Sequence, residues 1–132
     1  MATMVVALLC GPATADYTQL QNFPPKAAHA YSVVGATLSS GQYLVWNGET
    51  VYRQTSVGAD SWDAIATGYL GDPGFVAITP DGARALLGPG YYTKAYWLDL
   101  ANPVDYEASC EIAVPNQYAG AFLSNSLLAI DR

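Results

Sequence analysis

Apolar and polar positions alternate along this chain in short stretches. Runs rich in Val, Ile, Leu, Tyr and Trp are broken by turn-forming clusters every 8–12 positions or so. The pattern predicts strands near Ala30–Leu38, Gln42–Trp46, Thr50–Gln54, Trp62–Thr67, Gly74–Thr79 and Ala83–Leu87. Four more follow near Ala95–Leu100, Tyr106–Val114, Ala119–Leu123 and Leu127–Asp131. Ser40-Gly41, Asn47-Gly48 and Asp81-Gly82 supply the positive φ that tight turns between antiparallel strands require. Gly71-Asp72-Pro73-Gly74 and Gly88-Pro89-Gly90 read as loops. No stretch holds a 3.6-residue period. The expected fold class is all-β, with antiparallel sheets.

The pattern repeats. Ser39-Ser40-Gly41-Gln42-Tyr43-Leu44-Val45-Trp46 aligns with Pro80-Asp81-Gly82-Ala83-Arg84-Ala85-Leu86-Leu87 at an offset of 41. Leu123-Ser124-Asn125-Ser126-Leu127-Leu128-Ala129-Ile130 aligns again, with Asn125 43 residues beyond Gly82. Four strands in ~41 to 43 residues is the spacing of one propeller blade. A blade is a small twisted sheet with two apolar faces, stable only when stacked between neighbours. The expected blades cover residues 30–68, 69–114 and 115–132, the last one cut short. That is about two and a half blades where a closed ring needs about four or more. The reading therefore expects an incomplete β-propeller, a fragment of a longer chain. Self-association that closes the ring is the other option.

A resemblance points the same way. Gly74-Phe75-Val76-Ala77-Ile78-Thr79-Pro80-Asp81-Gly82-Ala83-Arg84-Ala85-Leu86-Leu87 is followed by Lys94-Ala95-Tyr96-Trp97-Leu98-Asp99-Leu100. This segment resembles bacterial secreted β-propellers of the WD40-like and YVTN type. Those place Pro-Asp-Gly and a basic residue between apolar strands and end a later strand in Asp-Leu. In the first unit Ser39-Ser40-Gly41 stands in place of Pro-Asp-Gly, and Val51-Tyr52-Arg53 lacks the closing Asp. The resemblance covers the second unit and implies a fold. It implies no activity, because propellers host lectins, hydrolases, dehydrogenases and interaction platforms alike.

Composition narrows the possible roles. Hydrophobic residues make up 52% of the 132 residues and charged ones 12%, which excludes a disordered chain. Five Lys and Arg against eleven Asp and Glu, a net charge of −6, exclude a nucleic-acid partner. At the N-terminus, Met4-Val5-Val6-Ala7-Leu8-Leu9-Cys10 precedes Gly11-Pro12 and the small-x-small Ala13-Thr14-Ala15. Residues 1–15 thus read as a signal peptide, residues 16–29 as a leader, and the product as secreted or periplasmic. The apolar run is too short to span a bilayer, which takes ~20 apolar residues. Cleavage after Ala15 leaves Cys110 without a disulfide partner in the chain, and its alternation with Ala108, Ile112 and Val114 predicts a packed thiol.

Candidate chemistry is sparse. His29 is the one imidazole and sits at the entrance to the first strand. Asp60 and Asp63 lie three apart around Trp62, and Glu107 and Glu111 share a strand face. A sugar hydrolase needs two carboxyls facing across the bound bond, while Asp60-Ser61-Trp62-Asp63 has too few oxygen ligands for a calcium loop. No motif asks for a nucleotide or any other cofactor, and no catalytic set or metal set emerges. What remains are loop residues expected on one face of the ring: Asn47, Glu49, Tyr69, Asp72, Tyr91, Tyr92, Asn116 and Tyr118. Tyr with Asn and carboxylates combines rigid contact area with adaptable hydrogen bonding. The functional expectation is a secreted binding or interaction module with a carbohydrate or protein ligand. The alternative is part of a propeller hydrolase or lactonase whose catalytic residues lie mostly outside this segment.

Overall fold

Strands form where the alternation is clearest, and the chain lays them down in order. The computed structural model describes residues 20–68, 71–90, 94–103, 110–111 and 119–131. Within these the fold is all-β, with no helix. Sheet 1 holds β1 (Val34–Thr37), β2 (Tyr43–Trp46), β3 (Thr50–Gln54) and β4 (Trp62–Thr67), paired antiparallel in chain order. Sheet 2 repeats the plan with β5 (Pro73–Ile78), β6 (Arg84–Pro89), β7 (Lys94–Asp99) and β8 (Cys110–Glu111). Sheet 3 is the hairpin of β9 (Ala119–Ser124) and β10 (Leu127–Asp131). No described helix is long and apolar enough to cross a membrane.

Alternation then decides what each face buries. In sheet 1, Val34 opposes Trp46 and Ala36 opposes Leu44, and Trp46 in turn opposes Val51. This face meets Val76, Ala85, Leu87 and Leu98 of sheet 2 in one core, in which Leu44, Trp46, Val51 and Leu87 are fully buried. Burial of each such side chain contributes about 1.5–3 kcal/mol. The opposite face of sheet 2 carries Phe75, Ala77, Leu86 and Ala95, and there Phe122 of sheet 3 stacks on Trp97 with ring centroids 5.6 Å apart. The three sheets therefore stack face to face in series. Their first strands lie side by side, β5 packing against β1 on one flank and β9 on the other.

The Phe75 ring is tightly seated between its own sheet and sheet 3. A Cβ built on Gly88 would lie 2.0 Å from its Cε1, and one built on Gly120 would lie 2.6 Å from its Cε2. Phe75 thus wedges between β6 and β9 only because both positions lack a side chain. Corresponding turns also meet across the stack. Gly82 comes so close to Ser39 that a Cβ there would sit 2.9 Å from the hydroxyl, while the Asp81 N–H donates to Asn125 Oδ1 at 3.1 Å.

Three details differ from the pattern-based expectation. First, β1 starts at Val34 and not at Ala30, because Tyr31 and Ser32 bond to Asp72 and Pro73 instead of to a sheet. Second, Pro73 and Pro89 belong to strands and oppose each other at the end of the β5–β6 ladder. Strand ends tolerate proline, since little ladder bonding is lost there. Third, the turn of sheet 2 is one residue longer than that of sheet 1. Leu38 N–H donates to Gln42 O, whereas Thr79 N–H donates to Arg84 O. The repeat therefore runs at an offset of 41 up to Gly82 and 42 beyond it, so Leu44 matches Leu86, not Ala85. A slip of one residue reverses the face each side chain points to.

Candidate functional site

At one end of sheet 1 the β2–β3 turn sits under the segment that leads into β1. Asn47 organises the turn. Its Oδ1 accepts from the Glu49 N–H at 3.1 Å and the Thr50 N–H at 2.8 Å, and its Nδ2 donates to Pro25 O at 2.8 Å. The Ala27 N–H returns a bond to Asn47 O at 3.0 Å. Gly48 has φ of 103°, and a Cβ there would lie 2.8 Å from both Ala30 Cβ and Gly71 O. Only glycine fits that crossing. The turn is thereby locked between residues 25–30 and the connection from sheet 1 to sheet 2.

That connection carries the second anchor. Asp72 Oδ1 accepts from the Tyr31 N–H at 2.7 Å, and Asp72 O accepts from the Gly90 N–H at 2.9 Å. Ser32 Oγ donates to Pro73 O at 3.1 Å, and Lys26 Nζ donates to Ala30 O at 2.9 Å. These bonds hold Tyr31 in a bend with its side chain 82% exposed. His29 is exposed beside it, its Nε2 3.4 Å from Gly48 O.

The expected ligand-facing residues can now be placed. Asn47, Glu49 and Asp72 come to the same end of the sheets, joined through Gly48 and Gly71. Their roles differ. Asn47 is 6% exposed and its amide is engaged by backbone, so it shapes the turn. Asp72 spends one carboxylate oxygen on Tyr31, and Glu49 is exposed. Tyr69, Tyr91, Tyr92, Asn116 and Tyr118 lie outside the described residues, as do residues 1–15 and Glu107. Tyr31 went unnoticed in the pattern because its apolar neighbours place it in a strand. The signal that frees it is Asp72, 41 residues away.

Of the Asp60–Asp63 pair, Asp60 serves as an anchor for the leader. The Asp60 carboxylate accepts from the backbone N–H of Gln21 at 2.6 Å and of Asn22 at 3.1 Å, tying the leader to the β3–β4 loop. Asp63 is exposed on β4. Elsewhere, among the described residues, the fold clearly perturbs the ionisation of Asp81. The Thr79 hydroxyl donates to its Oδ1 at 2.6 Å, the Ala83 N–H adds a second bond, and the Arg84 charge adds to both. Together they hold its carboxyl below the ordinary aspartate value. Among the described residues no group of three or more His, Cys, Asp and Glu is placed to hold a metal ion.

Fold and site together define a class: an all-β chain of face-stacked antiparallel sheets with connecting turns gathered at the sheet ends. Compared with known families and with curated proteins, the chain matches no family model and no curated sequence.

Proposed function

We propose that this chain is a tract of β-propeller blades serving as an exported binding module, with its ligand surface at the Tyr31–Glu49–Asp72 end. The observation that carries the reading is the stack itself: successive antiparallel sheets packed face to face with their first strands side by side. Blades arranged in this way bring equivalent turns to one rim, and rims are where rigid scaffolds present recognition loops. The chemistry at this rim favours a carbohydrate. An exposed Tyr31 ring offers a flat apolar surface, and the Glu49 carboxylate accepts from hydroxyl groups. The anchoring by Asp72 and Asn47 holds the rim in place before a ligand arrives.

A glycan array probed with the purified chain, followed by calorimetric titration of any hit, tests this. Tyr31→Ala and Glu49→Ala should each weaken binding about tenfold, the effect of losing one stacking or charged contact of ~1.4 kcal/mol. Their unfolding midpoints should stay within about 0.5 kcal/mol of the parent, as for exposed positions generally. A bound glycan indifferent to both substitutions would remove the rim from consideration.

A further inference from the structure

A groove of about 300 Å³ runs along the face of sheet 1 that points away from sheet 2, between Gly35, Tyr43 and Val45 on the sheet and Leu20 and Phe23 on the leader. This face has a covered counterpart in the same molecule. Gly35, Val45 and Tyr52 form one row across sheet 1, and Thr37 opposes Tyr43 in the next. In sheet 2 the same places are taken by Val76, Leu87 and Tyr96, and by Ile78 and Ala85. Those five residues belong to the core that sheet 1 covers. The groove thus lies on the face that, in sheet 2, packs against a preceding sheet.

The complementary side is present at the other end of the stack. Phe122 turns toward sheet 2, so its neighbour Leu123 points outward and is 67% exposed. Leu127 is 57% exposed, and Ala121 and Ala129 are exposed with it. We infer that the sheet 1 face docks the outer sheet 3 face of a second copy, and that the Leu20–Phe23 strap controls access to it. The inference rests on the blade reading above but makes no use of the Tyr31 rim. A second copy is the fitting occupant because the chain itself carries the donating face. The contact joins two different patches, so assembly is head-to-tail.

The strap lies over the groove without filling it. Its backbone is held by the Asp60 carboxylate, Asn22 Nδ2 donates to Asp60 O at 3.2 Å, and the Phe23 ring meets Trp62 edge-on at 5.4 Å. These hydrogen bonds are exposed and Phe23 is itself 46% exposed. A segment held in this way opens at low free-energy cost. When the competent state is a minor one, raising its population tightens apparent association by the same factor.

Sedimentation velocity over a wide concentration range tests the proposal. Asp60→Ala combined with Phe23→Ala should release the strap and tighten self-association about tenfold relative to the parent chain. Adding either Tyr43→Lys or Leu123→Lys to that background should abolish it. Both positions are exposed, so folding is retained, and far-ultraviolet circular dichroism verifies this. Mixing the Tyr43→Lys and Leu123→Lys chains should restore a complex that stops at two subunits, because each retains one intact face. In the parent chain, amide exchange in β2 should slow as concentration rises, a readout free of any substitution. A strap-released chain that stays monomeric overturns the proposal, as does association that survives Leu123→Lys, since sheet 1 faces would then be pairing with each other. A monomer that still binds glycan through Tyr31 would overturn the docking alone and leave the rim standing.

Discussion

Substituting Gly88 by alanine probes the seat of the Phe75 ring between its own sheet and sheet 3. The new Cβ would lie 2.0 Å from Phe75 Cε1, 2.4 Å from Cζ and 2.6 Å from Cδ1. Carbon atoms rest about 3.5–4.0 Å apart, so the ring must retreat by roughly 1.5 Å. Its retreat is blocked by Gly120, whose own Cβ position is already 2.6 Å from Cε2. Overpacking of this kind costs about 1–3 kcal/mol, and the closed exit puts this case at the upper end, near 3. Against a total stability of about 5–15 kcal/mol that is a large loss. In a Phe75→Ala background the obstacle is gone. There Gly88→Ala should be neutral or stabilise by up to about 1 kcal/mol, because alanine gives up less backbone entropy than glycine in a strand. Phe75→Ala alone should cost about 3–5 kcal/mol. Urea unfolding followed by tryptophan fluorescence measures all four chains, with equal m-values as the condition for comparing them. Should Phe75→Ala be too unstable, Phe75→Leu serves as the milder background. A Gly88→Ala cost that is the same with and without the ring would refute the wedge.

Other outcomes follow from the same geometry. Asn47→Ala strips a buried turn of its donor to Pro25 O and its acceptor for two N–H groups, so it should lower stability by about 1–3 kcal/mol, while Asn47→Asp keeps the acceptor and should cost less. For Asp81, carbon-13 NMR titration should give a midpoint below the ordinary ~3.9, with Thr79→Val moving it back up. The folded value lies below the unfolded one, so this turn's contribution is complete above the unfolded value and is lost as pH falls through the folded one. A midpoint unmoved by Thr79→Val would assign the shift to another cause. Trp97→Ala should loosen the stack by removing both the Phe122 ring contact and the Arg84 guanidinium 4.7 Å from its centroid, and amide exchange in β9 and β10 should speed up in consequence.

Local pattern carried the strands. The bounds of β3, β4 and β10 coincide with the alternation because each is flanked by residues that favour turns, such as Asn47-Gly48 and Ser124-Asn125. Pattern failed where a distant partner outbid a local preference. Tyr31 has the composition of a strand residue, yet Asp72 takes its N–H. Asp60 reads as a turn residue, and its carboxylate serves residues 38 and 39 positions upstream. The repeat was visible, but its exact phase was not, since the extra residue at Ala83 shows only once hydrogen bonding across the turn is seen. At the rim, sequence could nominate Asn47, Glu49 and Asp72 together. It could not tell that Asn47 is spent on the turn while Tyr31 stands clear, because burial at a loop depends on what crosses over it.

Nuclear Overhauser contacts between sheets bear most directly on the stacked arrangement. The account predicts strong cross-peaks from the Phe75 ring to the Gly120 Hα protons, with others from Trp97 to Phe122. Their absence, with the antiparallel cross-peaks inside sheets 2 and 3 intact, would contradict it.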